Sequence, residues 1–586
     1  MEVILQEKDA GKWVYRGEGA ANLVLAYSGS SPSFIGKVMR IRKAPRNGAE
    51  AMTIRSPSAL TAHERLLWKD VHELISSPDS EIACQQFVDH VMKPLLGSKF
   101  VDAGMLVRVT REFLESVEKS VICQRPAWRV DNALVDMRRD SVLLLSDHSI
   151  FTHGNLGSSP CISVEIKPKC GFLPLSRFIS EETAIKKRIT RFQMHQALKL
   201  QQGEISLLSE YNPLDLFSGS QQRTFKAIKD IFTSPQNNFR VFMNGSLIFG
   251  GLGGGAQDTN FCIAKAFEDA LKSVIRANDG LRTENLLTLV TEAVQKSGVL
   301  DRLLEVQKLD NVDIEGAIHA YYDMTNQRCM ICRQLSQEQL KRYTSLHSAS
   351  LDESLKIVKD YLIATSAKDC SFMICFRQRK EGDSGSVCSN IYLDSTKQTF
   401  DFKVYFIDLD LKRLTKMEEY YELDKKIVSC YKEMAKMDQG RDSQTCKHHK
   451  LRAVKLACVY ARSYPSYKYS EFDKAKSILE TVTSAQIRFF FHWSALFGHG
   501  LTDDLCWIPR SDHAFSSLLQ CENDVKSSVC RTAPIQVQAK ATSKITTSVV
   551  LNWYEIMVTM ICEANAVSII KVRKDDGWEK RFMSEL

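Results

Sequence analysis

A chain of 586 residues with a formal net charge of +8 exceeds what one hydrophobic core organises, so roughly two to four domains are expected. The positive excess is thin over that length, which excludes a protein coated for non-specific nucleic-acid binding. Its 17 cysteines are scattered without a disulfide framework, and MEVILQEKDAGKW at the start carries acids where a signal peptide has an apolar core. An intracellular, reducing compartment, cytoplasmic and/or nuclear, is therefore expected.

The chain opens as a meander. KWVYR, LVLAY and GKVMRIRK alternate apolar and polar residues and are separated by the glycine loop GEGAAN and the turn-rich SGSSPSF, which reads as strand, loop, strand, turn, strand. HERLLWKDVHELI, EIACQQFVDHVMKPLL and LVRVTREFLESVE switch to helical spacing, followed by strands SVLLLS and CISVEIKPK, an order that fits an α+β layered domain. From residue 182 the pattern is mainly helical, interrupted by the glycine-rich NGSLIFGGLGGGAQD. Two late strands, CSFMICFRQ and TFDFKVYFIDLDLK, flank the loop KEGDSGSVCSN and lead into LTKMEEYYELDKKIVSCYKEMAKM, read as a long helix. Beyond about residue 437 no clear period, cap or internal repeat is visible. The apolar stretch SVVLNWYEIMVTMICEANAVSIIKV is interrupted by Glu555 and Glu563. An acid near a bilayer centre costs about 2.5–3.5 kcal/mol, so a buried strand or helix is expected there and no membrane partner.

Several constellations could carry chemistry. Gly17, Gly19 and Asn22 lie between two strands, the protein-kinase way of covering ATP phosphates, although an ordinary tight turn fits too. Arg40 on the next strand stands where a kinase places its phosphate-pairing lysine; its bland reading is a solvated strand face. In VEIKPKCGF, Glu165, Lys167 and Lys169 would share one face of an extended chain. Asp408 and Asp410 close a strand on one side, a placement suited to magnesium. Asp369, just before the other late strand, could equally be a turn residue. Arg188, Arg191, His195 and Lys199 would form one helical stripe, and Lys412, Lys416 and Tyr420 another. Each stripe alone is most simply a solvated face, but together with Lys167 and Lys169 they need a polyanion. Cys329 and Cys332, with His319 upstream and His347 downstream, supply the two thiolates and two imidazoles of a structural tetrahedral zinc site; a chance pair or a redox pair remains the alternative.

With these pieces assembled, the chain resembles the inositol-pentakisphosphate 2-kinases, closest to plant members. The resemblance rests on GEGAANLVL, KVMRIRK, RPAWRVDNA, VEIKPKCGFLP, RFQMHQALK, NNFRVF, DCSFMICF and IDLDLK, in the family's order over roughly residues 1–435. It implies a two-lobed, kinase-like α+β fold, with an N-terminal lobe over 1–160, a C-terminal lobe over 161–437 and an extension of unknown fold over 438–586. It implies transfer of the ATP γ-phosphoryl group to the 2-hydroxyl of inositol 1,3,4,5,6-pentakisphosphate, giving the hexakisphosphate, phytate. Gly19, Ala20, Ala21, Asn22, Arg40, Ser146, Asp147, His148, Glu165, Ile166, Lys167 and Arg240 would line the nucleotide site, with Asp408 on magnesium. Arg129, Lys169, His195, Lys199, Asn237, Asp369, Lys412, Lys416 and Tyr420 would face the inositol phosphates. His319, Cys329, Cys332 and His347 would hold zinc. Within that scheme Asp369 would orient the 2-hydroxyl and take its proton, and Lys167 and Asp408 would complete the catalytic set. The chain is expected to act as a monomer on two small molecules, ATP and the pentakisphosphate, without nucleic acid.

Charge agrees with this division. A pentakisphosphate carries about −8 to −10 at neutral pH, so cations must converge from several elements, arginine giving direction and lysine point charge. Two departures stand out: Lys416 replaces the family's usual arginine, which loosens one phosphate contact, and residues beyond about 435 run past the family pattern. Those residues are either an appended domain or a misjoined gene model, with absent periodicity favouring the second. Competing readings are a zinc-containing module binding nucleic-acid or other polyanionic phosphates, for which RFQMHQALKLQQ offers only one stacking aromatic, and a kinase of other inositol phosphates or lipid head groups.

Overall fold

The computed structural model describes residues 4–46, 59–151, 160–251, 261–379 and 388–436, together with two short strands, Ile556–Val558 and Ile570–Val572. The chain divides into two units, Met1–Ala435 and Lys436–Leu586. In the second, the two short strands pair antiparallel inside the apolar stretch weighed above as a membrane segment; the rest of the extension lies outside the described residues. No helix among the described residues is long and apolar enough to cross a membrane.

The first unit is built on two sheets. The first sheet contains β1 (Ile4–Leu5), β2 (Trp13–Glu18), β3 (Asn22–Tyr27), β4 (Lys37–Pro45), β5 (Met105–Val109), β6 (Ala133–Val135) and β7 (Ser141–Ser146), in the order β1-β5-β7-β4-β3-β2 with β6 on β4. The alternation read in the opening meander is what buries Leu23, Leu25, Met39 and Ile41 on one face. That face meets the helix Arg111–Val121, which contributes Phe113, Leu114, Val117 and Val121. The stretch LVRVTREFLESVE is thus not one helix. Val107 and Val109 are buried around exposed Arg108, so the first half alternates as β5 between β1 and β7. Thr110 then caps the helix by accepting from Phe113 N at 3.2 Å.

The second sheet contains β8 (Cys161–Ile166), β9 (Phe239–Met243), β10 (Ser246–Phe249), β11 (Ser371–Gln378), β12 (Ser389–Leu393) and β13 (Gln398–Ile407), all antiparallel in the order β10-β9-β8-β11-β13-β12. Every residue of β8 is buried, as a central strand covered on both faces requires. β10 replaces part of the expected glycine-rich insert, and β9 runs directly into it. Asn244 and Gly245, at φ 48° and 79°, form the tight turn of a hairpin, and residues 252–260 of that insert lie outside the described ones. Helices Arg282–Ser297, Val299–Gln307, Asp313–Met324 and Leu351–Asp369 pack on this sheet. Leu67, Trp68, Phe87 and Leu96, from the helical segment that precedes β5, are buried in the same core. The first 160 residues therefore divide their buried side chains between two cores.

Because both cores are complete within the first unit, ending the chain after residue 437 should leave a soluble protein that unfolds cooperatively, with a melting temperature within a few degrees of the full chain. Aggregation of the truncated protein in the same calorimetric scan would show that the extension is part of the fold.

Candidate active site

The second sheet explains why residues far apart in sequence meet. β8 leaves the sheet at Ile166, whose side chain is buried, and its antiparallel neighbours pair Ile166 with Phe239 and with Phe372, while Ser371 pairs with Ile407. The exit of β8, the entries of β9 and β11 and the exit of β13 therefore share one edge. Lys167 and Lys169, Asn237, Asp369, and Asp408 with Lys412 are delivered there together.

Asp369 ends the helix Leu351–Asp369, and three ammonium groups surround its carboxylate. Lys412 Nζ lies 2.9 Å from Oδ2, while Lys167 Nζ and Lys169 Nζ lie 3.1 and 3.6 Å from Oδ1. A helix carboxyl end carries partial negative charge, which adds to the attraction. Lys412, Lys167 and Lys169 outweigh burial and hold the half-exposed carboxyl well below the usual carboxylate range. The expected alternation of Glu165, Lys167 and Lys169 along a strand does not occur. The strand stops at Ile166, and Lys169 adopts a left-handed φ of 62°. Both lysines reach Asp369 through this turn, while Glu165, still in the strand, pairs with Arg240 opposite it at 3.2 Å.

His195 and Lys199 face the same cluster from the helix Arg191–Gln201. Burial and then Lys167 push the Lys169 ammonium down to about 7, with Lys199 acting in the same direction. Burial, Arg191, Lys199 and Lys169 together push His195 down to about 4, so its imidazole is neutral at physiological pH. The proposed stripe is corrected at its start: Thr190 caps the helix, leaving Arg188 outside it, and Arg191 turns away to pair with Asp424. The second stripe is not a stripe either. Buried Leu411, Leu414 and Met417 pull the chain through a 3-10 turn before the helix of 417–436 begins, so Lys412 precedes that helix. Lys416 pairs on the surface with Glu419 at 3.2 Å, whereas Tyr420 feels Asp369; burial, Glu419 and Asp369 push its hydroxyl up to about 12.

Across from this edge lies the glycine loop between β2 and β3. Gly19 N donates to Asn22 O at 2.9 Å, Lys43 N to Ala21 O at 2.9 Å, and Gly19 and Ala20 are exposed with nothing packed against Gly19. The base of the loop is held by a buried charge cluster that sequence reading missed. Arg125 donates to both oxygens of Glu18 at 3.0 Å and to Glu118 at 2.9 Å, and Lys43 pairs with Glu18. Arg40 spans the gap from β4 to Asp410, with Asn22 turning its amide oxygen to Arg40 Nε at 2.9 Å. Asp408 and Asp410 do not extend the strand side by side, because β13 ends at Ile407 and Asp408 has φ 60°. Crowding by the surrounding protein, with Asp410 and Glu165 nearby and Arg40 opposing, raises the Asp408 carboxyl.

Ser146 ends β7 and accepts from Lys37 at 3.2 Å. Asp147 and His148 follow, both buried; His148 stacks on Tyr405 with ring centroids 3.8 Å apart, and Asp147 receives Arg16 at 3.1 Å. Arg16 also donates to Gly245 O, tying β2 of the first sheet to the β9–β10 turn. Arg129 lies over the Trp128 ring at 4.0 Å. Its Nε and the Asn237 Oδ1 are buried polar atoms without a hydrogen-bond partner among the described residues.

A second cluster is separate. His319 Nδ1, Cys329 Sγ, Cys332 Sγ and His347 Nε2 all lie within 4.8 Å of one another, with the histidine nitrogens 3.1 Å apart and sulfur–nitrogen separations of 3.1 to 3.4 Å. Asp323 receives the other nitrogen of His347 at 2.9 Å, and Tyr343 stacks on His319. This set can hold one tetrahedral metal ion. The acids Asp313, Glu315 and Asp424 also converge, but the Lys186 ammonium sits among them, 2.7 Å from Asp424 and 3.1 Å from Glu315.

The family model described as inositol-pentakisphosphate 2-kinase matches residues 15–426, through both sheets and the edge that carries Asp369. The chain belongs to the inositol-pentakisphosphate 2-kinase family. An inositol-pentakisphosphate 2-kinase from Arabidopsis thaliana is 57% identical over 439 residues, covering 75% of this chain and 97% of that protein. One from Oryza sativa subsp. indica is 49% identical over 434 residues, covering 74% and 96%, and one from Danio rerio is 29% identical over 487 residues, covering 73% and 94%. The chain is accordingly a kinase, of the plant type.

In this inositol-pentakisphosphate 2-kinase chain the glycine loop depends on Arg125. Arg125→Met would leave Glu118 and part of Glu18 buried without a counter-ion, a loss expected to cost about 3–5 kcal/mol. Urea unfolding of the variant measures it.

Proposed function

We propose that the chain transfers the γ-phosphoryl group of ATP to the 2-hydroxyl of inositol 1,3,4,5,6-pentakisphosphate, producing the hexakisphosphate. The observation that carries this reading is the convergence of Lys167, Lys169 and Lys412 on Asp369, with His195 and Lys199 facing the same point. Such a density of cations beside one carboxylate suits a small ring dense in phosphate. Family membership favours it over a nucleic-acid-binding module. The two sheets, with Arg40 linking the glycine-loop side to Asp410 beside the edge that carries Asp369, support a kinase-like, two-lobed description.

In this reading Gly19, Ala20, Ala21 and Asn22 cover the nucleotide, Arg40, Arg240 and Lys167 meet its phosphates, and Ser146, Asp147, His148, Glu165 and Ile166 line its site. Arg129, Lys169, Asn237, Lys412 and Tyr420 hold the acceptor with His195, a neutral donor, and Lys199. Lys416, out on the surface with Glu419, serves a substrate phosphate only after leaving that partner. Asp408, whose raised carboxyl sits in a crowded acidic corner, fits a divalent ion, and magnesium bound there would neutralise charge on the terminal phosphates.

Asp369 is a poor proton acceptor while three lysines face it. Phosphates of the arriving ring draw Lys169 and Lys412 away from the carboxylate, restoring its basicity at the moment the 2-hydroxyl is in place. Phosphoryl transfer through a loose transition state asks little more of a base than orientation. Asp369→Asn should lower kcat about 100-fold or more with the KM for ATP within about threefold, measured by ADP release together with product identification across inositol phosphate isomers. Near-normal turnover would remove Asp369 from this role.

The acceptor KM should rise as pH climbs through about 7, because the free-enzyme Lys169 is charged below that value and neutral above it. Lys169→Arg, charged at every working pH, should flatten the profile; an unchanged slope would assign the titration elsewhere.

We also propose that His319, Cys329, Cys332 and His347 bind structural zinc. Tetrahedral zinc bonds of about 2.0–2.3 Å place donor atoms roughly 3.3–3.8 Å apart, close to the separations above, and Asp323 would orient His347 from behind. Metal analysis should find about one zinc per chain, and its removal by a chelator should lower the melting temperature by several degrees. An equal melting temperature with and without metal would argue against it.

A further inference from the structure

Lys169 is held in a backbone conformation that a side-chain-bearing residue rarely adopts, at φ 62°, one residue after Pro168 and two before Gly171. Such a conformation persists only where surrounding contacts over-determine it. Here the contacts come chiefly from one side chain. Gln307, the last residue of the helix Val299–Gln307, has no exposed surface. Its carbonyl oxygen accepts from Gly171 N at 2.8 Å, and its amide nitrogen donates to Lys169 O at 2.8 Å and to Ala367 O at 3.2 Å. The first two contacts clamp both ends of the turn that aims Lys169. The third adds a bond to a carbonyl in the last helical turn before Asp369, which also receives the Cys370 thiol at 3.4 Å. Tyr211, also fully buried, adds a bond from its hydroxyl to Pro168 O at 2.8 Å. Gly171 completes the fit, because a Cβ there would lie 2.4 Å from the Phe217 ring.

We infer that Gln307 is a positioning residue for the reaction: one buried amide fixes the lysine that receives the acceptor's phosphates relative to the carboxylate that orients its hydroxyl. This rests on the roles proposed above for Lys169 and Asp369. Gln307 touches neither substrate, so its effect is geometric, and a misplacement of about 1 Å at reacting groups can cost on the order of 100-fold in rate.

Two variants in the full-length protein test it. Gln307→Leu keeps the approximate volume and removes all three bonds. Gln307→Glu keeps the acceptor for Gly171 N and regains one donor only when its carboxyl is protonated. After correction for the fraction of active sites, the leucine variant should lose roughly 10- to 100-fold in kcat/KM for the pentakisphosphate, while the KM for ATP stays within about twofold. The glutamate variant should fall between it and the wild type and regain activity, relative to wild type, as pH is lowered from about 8 to about 6. A loss that merely follows the folded fraction, equal changes in the parameters of both substrates, or unchanged kinetics would overturn the inference. Failure of the underlying reading is seen separately, as a wild-type chain that does not phosphorylate the pentakisphosphate, and that result would take this inference with it.

Discussion

Three ammonium groups converge on one carboxylate, so cations that repel one another are packed side by side, and the fold has to hold them there. Burial first, and then Lys167, depress the proton affinity of Lys169. What holds them in place is a fixed course of backbone, itself bonded by buried side chains. Lys169 and Asp408 both occupy left-handed conformations at the ends of β8 and β13, the Asp410 carbonyl receives Ser366 at 2.7 Å, and Leu414 N donates to buried Glu64 at 3.2 Å. The cations are thereby aimed before any anion arrives, so the reorganisation that a flexible lysine would otherwise require is already complete.

The two sheets contribute different parts of the proposed site. The first offers exposed backbone at Gly19 and Ala20, stiffened from beneath by Glu18, Arg125 and Lys43. The second offers a single edge where four strand ends meet. Arg40 with Asp410, and Arg16 with the Gly245 carbonyl, cross between them, so the glycine loop and the edge that carries Asp369 are tied together by polar contacts.

Local elements were legible in the sequence wherever periodicity was clean. The opening meander, β7, β11, β13 and the final helix follow from alternation or helical spacing. LVRV was misread because four residues cannot separate a strand from the helix that follows, although Thr110 stood at the boundary as a capping signal. The β9–β10 hairpin was hidden by the neighbouring glycines, even though Asn244-Gly245 is a strong turn pair. The helix Leu351–Asp369 lay in a segment read only as mainly helical, and Ser350 and Glu353, which form its reciprocal cap, went unremarked. The candidate site was legible only through family motifs, since nothing local says that residues 167, 369 and 412 are neighbours. That follows from the order β8-β11-β13, a property of the whole sheet. Gln307 carried no motif, and Arg125, the first residue of RPAWRVDNA, carried one without a role; what each does is recognisable only from what surrounds it once folded.

Arg16 reaches from β2 to a carboxylate beside the β7 exit and to a carbonyl at the β9–β10 turn. Any parting of the sheets must strip that guanidinium from the β9–β10 carbonyl, while its carboxylate partner, beside a strand of the same sheet as β2, stays with it. The grip of one sheet on the other therefore includes a single carbonyl at the tip of a two-residue reverse turn.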